Sequence, residues 1–355
     1  LADIQNSVES GDGTPGEKKD ARKKRGFSES RFVAGFSDLI ADGEPEKALD
    51  YFIGELDLLK ASKLNRKEKL NHLVYMSKII QSNGNAKHGW QKLQRKSRQA
   101  RRVMALTDVP RDKTFLDFGC GAHDPVSLST FFYLNGFPRS VACDMRPMRN
   151  PTYSAISLYE TLAEFNLHPE QFMLDDVEES DFKQRLSHFD TNKLAQGEID
   201  TVLGGLSGSI DHRIDNLLNL DVDDDELGFV VSFAVLEHVD EIQPIMDWLY
   251  RKTAPGGAHF HFIDIADHRS YQPGGGFNAW SFLTEEDAPE GMNRLRKGEH
   301  LEAITGAGFE ILQERSVEGE VPPETAEALL PRWKDMSKSD IDTIKLTVMF
   351  RKPAL

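Results

Sequence analysis

Cysteine is scarce in this chain: two in 355 residues, Cys120 and Cys143. Neither has the cysteine or histidine company of a zinc cluster or a disulfide framework, so a reducing compartment is expected. Long apolar runs are missing too. Nothing approaches the ~20 residues that cross a bilayer, so no membrane span is expected. Residues 1–30 are polar where a signal peptide needs an apolar segment, and the expected location is cytoplasmic. Positive charge is in deficit, 43 basic against 58 acidic side chains for a net −15, which on average repels nucleic acid and anionic membrane.

The deficit is uneven. Residues 1–113 carry 23 basic and 16 acidic groups, whereas residues 114–355 carry 20 and 42. Between Lys60 and Lys113 the count is 15 basic to 3 acidic, much of it in Gln91–Arg102, QKLQRKSRQARR. A helix there is expected to be basic nearly all round.

Residues 1–28 lack hydrophobic periodicity and hold a basic cluster from Lys18 to Arg25; they read as a disordered, solvated tail. From Phe32 to Met104 apolar residues recur at helical spacing, as in Phe32, Phe36, Leu39 and Ile40. Residues 29–110 are therefore read as a helical N-terminal region. After Lys113 short apolar runs alternate with helical stretches. The strand candidates are Thr114–Phe118, Ser140–Cys143, Gln171–Leu174, Gly228–Phe233 and Ala258–Ile265. That alternation argues for an α/β fold, a parallel sheet with helices on both faces. The long spacing before the fourth run implies extra elements or an insertion over residues 179–226.

The most informative stretch is Thr114–Pro125, TFLDFGCGAHDP. A strand ends at Asp117, and Gly119 and Gly121 allow a sharp turn and close ligand approach before the next helix. A dinucleotide turn wants a third glycine where Asp124 stands, and its carboxylate would face the phosphates. A cofactor with positive charge and no phosphate suits the turn better. Asp144 closes the second run, where an acid accepts hydrogen bonds from ribose hydroxyls, and the third run leads into Asp175 and Asp176, offering another acid at a strand end, suited to an adenine amino group.

The ordered series LDFGCGAHD, VACDMRP, FMLDDVE, VVSFAVLEHV and APGGAHFHFID resembles the motifs of class I S-adenosylmethionine-dependent methyltransferases over about residues 86–352. The resemblance implies a Rossmann-like, doubly wound, seven-stranded sheet, mostly parallel with the last strand antiparallel. Segments Ala307–Ile311 and Lys345–Phe350 would supply the final strands. It makes residues 111–355 the methyltransferase domain, with the helical region as an extension. It also implies S-adenosylmethionine as cofactor: Asp117, Gly119 and Gly121 line the methionine moiety, Asp144 holds ribose, Asp176 holds adenine, and Ser232, Phe233 and Ala234 border the sulfonium. Where the family usually has a further glycine, this sequence has His123. FFYLNGFPRSVACDMRP, HFIDIADHRSY and NRLRKGEHLEAITGAGFE are similar to a methyltransferase group associated with bacterial cell-surface polysaccharide biosynthesis, which motivates a small-molecule or glycan acceptor.

A hydroxyl acceptor must lose a proton, and His238 and His268 lie just beyond the fourth and fifth runs, where a base is useful. Each reads equally as a capping or loop residue. His259 and His261 alternate inside the fifth run and read as structural. Tyr271 opens a glycine-rich stretch, and a lid is expected over residues 271–298. Asn293, Arg294 and Arg296 are candidates to grip an anionic group on the acceptor, or else belong to a surface helix start. No H-x-x-x-H or comparable pair occurs, and the acidic run Asp221–Glu226 lacks the glycine of a calcium loop, so no metal is expected. The basic helices motivate an RNA methyltransferase as the alternative function, with nucleic acid the less favoured partner. An inactive scaffold of the same fold is a third reading. The oligomeric state is not legible in the sequence.

Overall fold

The computed structural model describes residues 29–41, 44–83, 89–271 and 276–354. The expected tail over residues 1–28 and residues 272–275 of the expected lid lie outside the described residues.

The chain divides into two compact units, residues 1–76 and 77–355. In the first, helices α1 (Glu29–Ala41) and α2 (Pro45–Ala61) pack together. Phe32, Phe36 and Phe52 form an aromatic cluster between them, and Arg31 pairs with the buried Glu55 at 2.6 Å. Helix α3 (Arg66–Asn83) runs across the division.

In the second unit, helix α4 (Gly89–Met104) comes first. It is not basic all round. Leu93, Ser97, Ala100 and Val103 recur at helical spacing and are buried, and this stripe faces helices α5 (Ser127–Leu134) and α6 (Pro151–Leu167). Burying an apolar side chain such as Leu93 contributes about 1.5–3 kcal/mol, enough to override an otherwise cationic surface. Arg101 donates to the carbonyls of Gln171 and Met173 at 3.1 and 2.6 Å, so part of the basic face is taken up by hydrogen bonds within the fold.

Seven strands among the described residues form one sheet: β1 (Thr114–Phe118), β2 (Ser140–Asp144), β3 (Ile210–Ile214), β4 (Leu227–Phe233), β5 (Thr253–Asp264), β6 (Glu310–Glu318) and β7 (Thr343–Arg351). Their order is β3-β2-β1-β4-β5-β7-β6. Strands β1 to β5 pair in parallel, and β7 runs antiparallel to both neighbours. This is the α/β, Rossmann-like sheet expected, with cores on both faces. A third cluster around Trp280, Phe282 and Trp333 lies under the segments flanking the C-terminal strands.

One strand candidate is corrected. Gln171–Leu174 is not a strand: residues Pro169–Phe172 form a helical turn. Its apolar side chains Phe172 and Leu174 are core residues packed with Phe165 of α6, and a short apolar run cannot by itself tell a buried helix turn from a buried strand. The true third strand, β3, lies within the stretch expected to be an insertion. Its sequence IDHRI is polar and its second half is exposed, as befits a sheet edge.

Candidate functional site

Parallel strands β1, β2 and β4 all end at one edge of the sheet, and the loops there bring the candidate residues together. Gly119 and Gly121 adopt φ of +73° and +86°, the left-handed region that glycine enters without steric cost. A Cβ on Gly119 would lie 2.2 Å from Val235 Cγ2, whereas one on Gly121 would meet nothing within 4 Å. The first glycine thus lets the turn pack against the end of β4, and the second faces open space.

Asp144 ties the turn to β2. Its Oδ2 accepts from the Gly121 backbone N–H at 2.9 Å and its Oδ1 from that of Arg146 at 2.9 Å. A carboxylate has about four acceptor positions, so capacity for further donors remains. Asp117 is buried, with Oδ1 lacking any hydrogen-bond partner. Burial pushes its carboxyl up to about 6, partly offset by the Lys96 ammonium on α4. The same Lys96 sits over the Phe233 ring, 4.8 Å from its centroid. Lys96 therefore belongs to the site, and nothing in the Gln91–Arg102 charge run distinguishes it from its neighbours. His123 is exposed and borders a cavity of about 150 Å³ with Leu93, Lys96 and Cys120.

The end of β4 supplies Ser232, Phe233 and Ala234. Ser232 turns its hydroxyl inward to His261 Nδ1 at 2.6 Å, leaving backbone at the edge, and Ala234 takes φ +57°. His259 and His261 form a buried chain, with Thr253 Oγ1 2.9 Å from His259 Nε2 and His259 Nδ1 3.3 Å from His261 Nε2. Burial lowers His261 to about 3, so these imidazoles are neutral packing elements.

Asp176 is elsewhere. It pairs with Arg111 and lines a cavity of about 690 Å³ with Arg111, Pro138 and Ser209. Those three residues precede β1, β2 and β3, so this larger cavity opens at the amino edge, opposite the glycine turn. The acid that follows the true third strand is Asp215. Its N–H donates to the Asp144 carbonyl at 3.0 Å, and its exposed carboxylate, at the same edge, accepts from the Asn216 N–H at 2.7 Å and from Asn219 Nδ2 at 2.8 Å. The misplaced strand hid it; an acid closing the run IDHRID was the available signal.

His238 and His268 converge, with ring centroids 5.0 Å apart at 74°. His238 ends a 3-10 turn, Leu236–His238, and its Nδ1 bonds the Gly291 carbonyl. His268 begins the turn His268–Tyr271 after β5; burial lowers its pKa, opposed by the Asp264 carboxylate. Between them lies Glu237, which the sequence did not single out. It is buried, its Oε2 has no partner, and burial raises its carboxyl to about 8. Tyr271 directs its hydroxyl to both Asp264 oxygens at 2.8 and 2.9 Å.

The geometry does not support Asn293, Arg294 and Arg296 as an anion grip. Asn293 Nδ2 donates to the carbonyls of Leu236 and Val239 at 2.7 and 2.9 Å, clamping the turn that carries His238. Arg294 donates to the carbonyls of Phe282, Glu285 and Glu286 and lies over Trp333. Arg296 is buried among the carbonyls of Ile265, Asp340, Ile341 and Thr343. All three bind backbone rather than facing the cleft. In the acidic run, Asp224 and Asp225 pair with Lys252 and Lys352.

Residues 90–314 match a family model described as a methyltransferase domain. No curated protein sequence matches the chain. Among solved structures the chain is similar to the [4+2]-cyclase SpnF, at 16% identity over 73% of this chain and 81% of that one with a TM-score of 0.39. It is similar to a geranyl diphosphate methyltransferase in complex with SAM, at 12% identity, 72% and 85% coverage and TM-score 0.38. It is also similar to a SAM-dependent methyltransferase from Methanosarcina mazei, at 15% identity, 70% and 95% coverage and TM-score 0.35.

Proposed function

The chain belongs to the methyltransferase-domain family, and from that premise we propose that it methylates a hydroxyl of a small-molecule or glycan acceptor, with His238 and His268 assisting loss of the hydroxyl proton. It is an enzyme of methyl transfer, and S-adenosylmethionine is its cofactor. When bound, this cofactor supplies a methyl group already activated on a cationic sulfonium.

The residues present fit such a ligand. The observation that carries the reading is Asp117, a buried carboxylate with an unpartnered Oδ1 at the glycine turn, suited to an ammonium and unsuited to a phosphate. Gly121 leaves room for the ligand beside it. Asp144 would hold the ribose hydroxyls, Asp215 takes the adenine role expected of Asp176, and the Ser232–Ala234 backbone would border the reacting centre. Lys96, above Phe233, would meet the ligand's carboxylate.

Because the donor is activated, the protein's work is alignment of the acceptor and removal of its proton. His238 has Nδ1 engaged with a carbonyl, so Nε2 carries the lone pair. His268 is kept neutral by burial, with Nε2 unpartnered. The acceptor O–H would lose its proton by way of these imidazoles, freeing the oxygen lone pair for the methyl group, whose bond to sulfur would break to leave the neutral thioether of S-adenosylhomocysteine.

Calorimetry with S-adenosylhomocysteine tests the reading. The wild type is expected to bind, and Asp144→Ala to bind about 100-fold more weakly, which is about 2.7 kcal/mol and in the range for two charge-assisted hydrogen bonds. A folded wild type that ignores millimolar ligand would overturn it. His238→Ala and His268→Ala are expected to retain ligand binding and lose about 100-fold or more in kcat.

A further inference from the structure

We propose that Glu237, His238 and His268 form a binding site for one divalent transition-metal ion, placed to hold the acceptor oxygen; its chemical role rests on the methyl-transfer reading above. Each residue offers one ligand atom, and all three atoms lie within 4.8 Å of one another, with Glu237 Oε1 4.0 Å from His268 Nε2. Ligand distances of about 2.0–2.2 Å put two ligands of one ion about 3.4 Å apart at a tetrahedral angle, so side-chain movements of about an ångström close the site.

Two independent observations point to a ligand here. Glu237 Oε2 and His268 Nε2 are both buried without a hydrogen-bond partner, and leaving a buried polar atom unsatisfied costs about 1–3 kcal/mol each. Two such atoms on neighbouring side chains are explained if a cation is received between them. Second, the surroundings hold the ligands in ligating form. The contact of His238 Nδ1 with the Gly291 carbonyl fixes the tautomer, the outer-shell arrangement that orients metal-bound imidazoles. Asn293 Nδ2 clamps the carbonyls on either side of the Glu237–His238 pair, and the Asn293 N–H donates to the Glu237 carbonyl at 2.9 Å. The Asp264 N–H reaches Glu237 Oε1 at 3.3 Å.

Two imidazole nitrogens and one carboxylate select ions such as Zn(II), Mn(II), Fe(II) or Co(II) over calcium and magnesium, whose sites are built from oxygen. Three protein ligands leave coordination positions open, as catalytic sites require. An acceptor oxygen in an open position would become acidic enough to release its proton to solvent at neutral pH, keeping the lone pair that takes the methyl group. With the ion bound the two imidazoles are its ligands, and the ion replaces them as the group that draws off the hydroxyl proton. Sequence spacing could not show this site, because its halves come from the ends of β4 and β5, 30 residues apart between His238 and His268.

The test uses the untagged full chain, stripped with a chelator and titrated with Zn(II) and separately with Co(II), alongside S-adenosylhomocysteine on the same preparation. One ion per chain is expected, with visible Co(II) absorption reporting nitrogen and oxygen ligation. Glu237→Gln and His268→Gln are each expected to weaken the ion by about 100-fold or more, since loss of an outer-shell partner alone costs 10–100-fold. His268 is partly exposed, so its variant keeps the test decisive should Glu237→Gln fail to fold. A wild type that retains no ion, or variants that retain it equally, would overturn the site. S-adenosylhomocysteine binding without metal overturns the site alone; metal binding without S-adenosylhomocysteine supports the site and overturns the methyl-transfer reading.

Discussion

Asp117 is where burial and charge meet most directly. In the free protein its carboxyl titrates near 6, raised by burial from an ordinary 3.8. Folding therefore favours its protonated form, and the stability tied to that form is full below about pH 4 and lost as pH rises through 6. A cation placed against the carboxylate draws the pKa down again, so binding releases a proton below pH 6. Affinity for S-adenosylhomocysteine is accordingly expected to rise by up to about tenfold per pH unit between pH 5 and 6 and to level off above 7. Calorimetry across that range checks this, and in Asp117→Asn the slope should vanish. Side chains that sit where a strand meets its turn were legible in the sequence, as Asp117, Gly119, Gly121 and Asp144 were, because strand ends are marked by the apolar runs themselves. Asn293 and Arg294 were not. Their residue types suit an acceptor, but whether a polar side chain faces a cleft or a carbonyl is decided by the tertiary path of the chain, and here the carbonyls of Leu236, Val239, Phe282 and Glu285 take them.

At the scale of elements, the glycine turn makes a differential prediction. Both glycines have positive φ, so either substitution by alanine incurs backbone strain of about 1 kcal/mol. Only at Gly119 does the added methyl also collide, with Val235. Gly119→Ala is thus expected to lower Tm by several degrees more than Gly121→Ala, measured by calorimetric melting; equal effects would contradict the close packing of this turn on the end of β4. Elements whose pattern is strongly apolar, β1, β2, β4 and β5, could be read within a few residues. The exchange of β3 for the Pro169–Phe172 turn has a physical cause. A central parallel strand is buried on both faces and reads as an apolar run, whereas an edge strand such as IDHRI is half solvated, and a helical turn pressed into a core imitates the central pattern. Helix α4 shows the reverse case. Its cationic residues dominate the composition, yet Leu93, Ala100 and Val103 decide where it packs.

For the whole molecule, the division after Met76 separates α1 and α2 from the sheet, while α4 packs on α5 and α6. A chain beginning at Ser77 is expected to fold and bind S-adenosylhomocysteine like the full protein. One beginning at Arg111 lacks the α4 stripe and Lys96, and is expected to expose the apolar surface around α5 and α6 and to lose binding. Circular dichroism melts with calorimetry on the two chains test this, and retained binding in the shorter one would remove α4 from the site. The uneven charge of the sequence also takes a concrete form at this scale: Lys96, Arg101 and Arg111 of the basic stretch find partners among residues 114–355, the acidic part of the chain.

The placement of β3 has a kinetic side. Strands β2 and β3 lie side by side, but their paired residues Ser140 and Ile210 are 70 positions apart along the chain. Closing so long a loop delays the pairing during folding, because its entropy is lost before the contact is gained. Strand β3 also has a single neighbour in the sheet, so its amides are expected to exchange before those of β1, which is paired on both sides. The end of the cleft proposed to hold adenine, at the tip of β3, is therefore expected to open before the glycine turn on β1, a difference that hydrogen exchange would show.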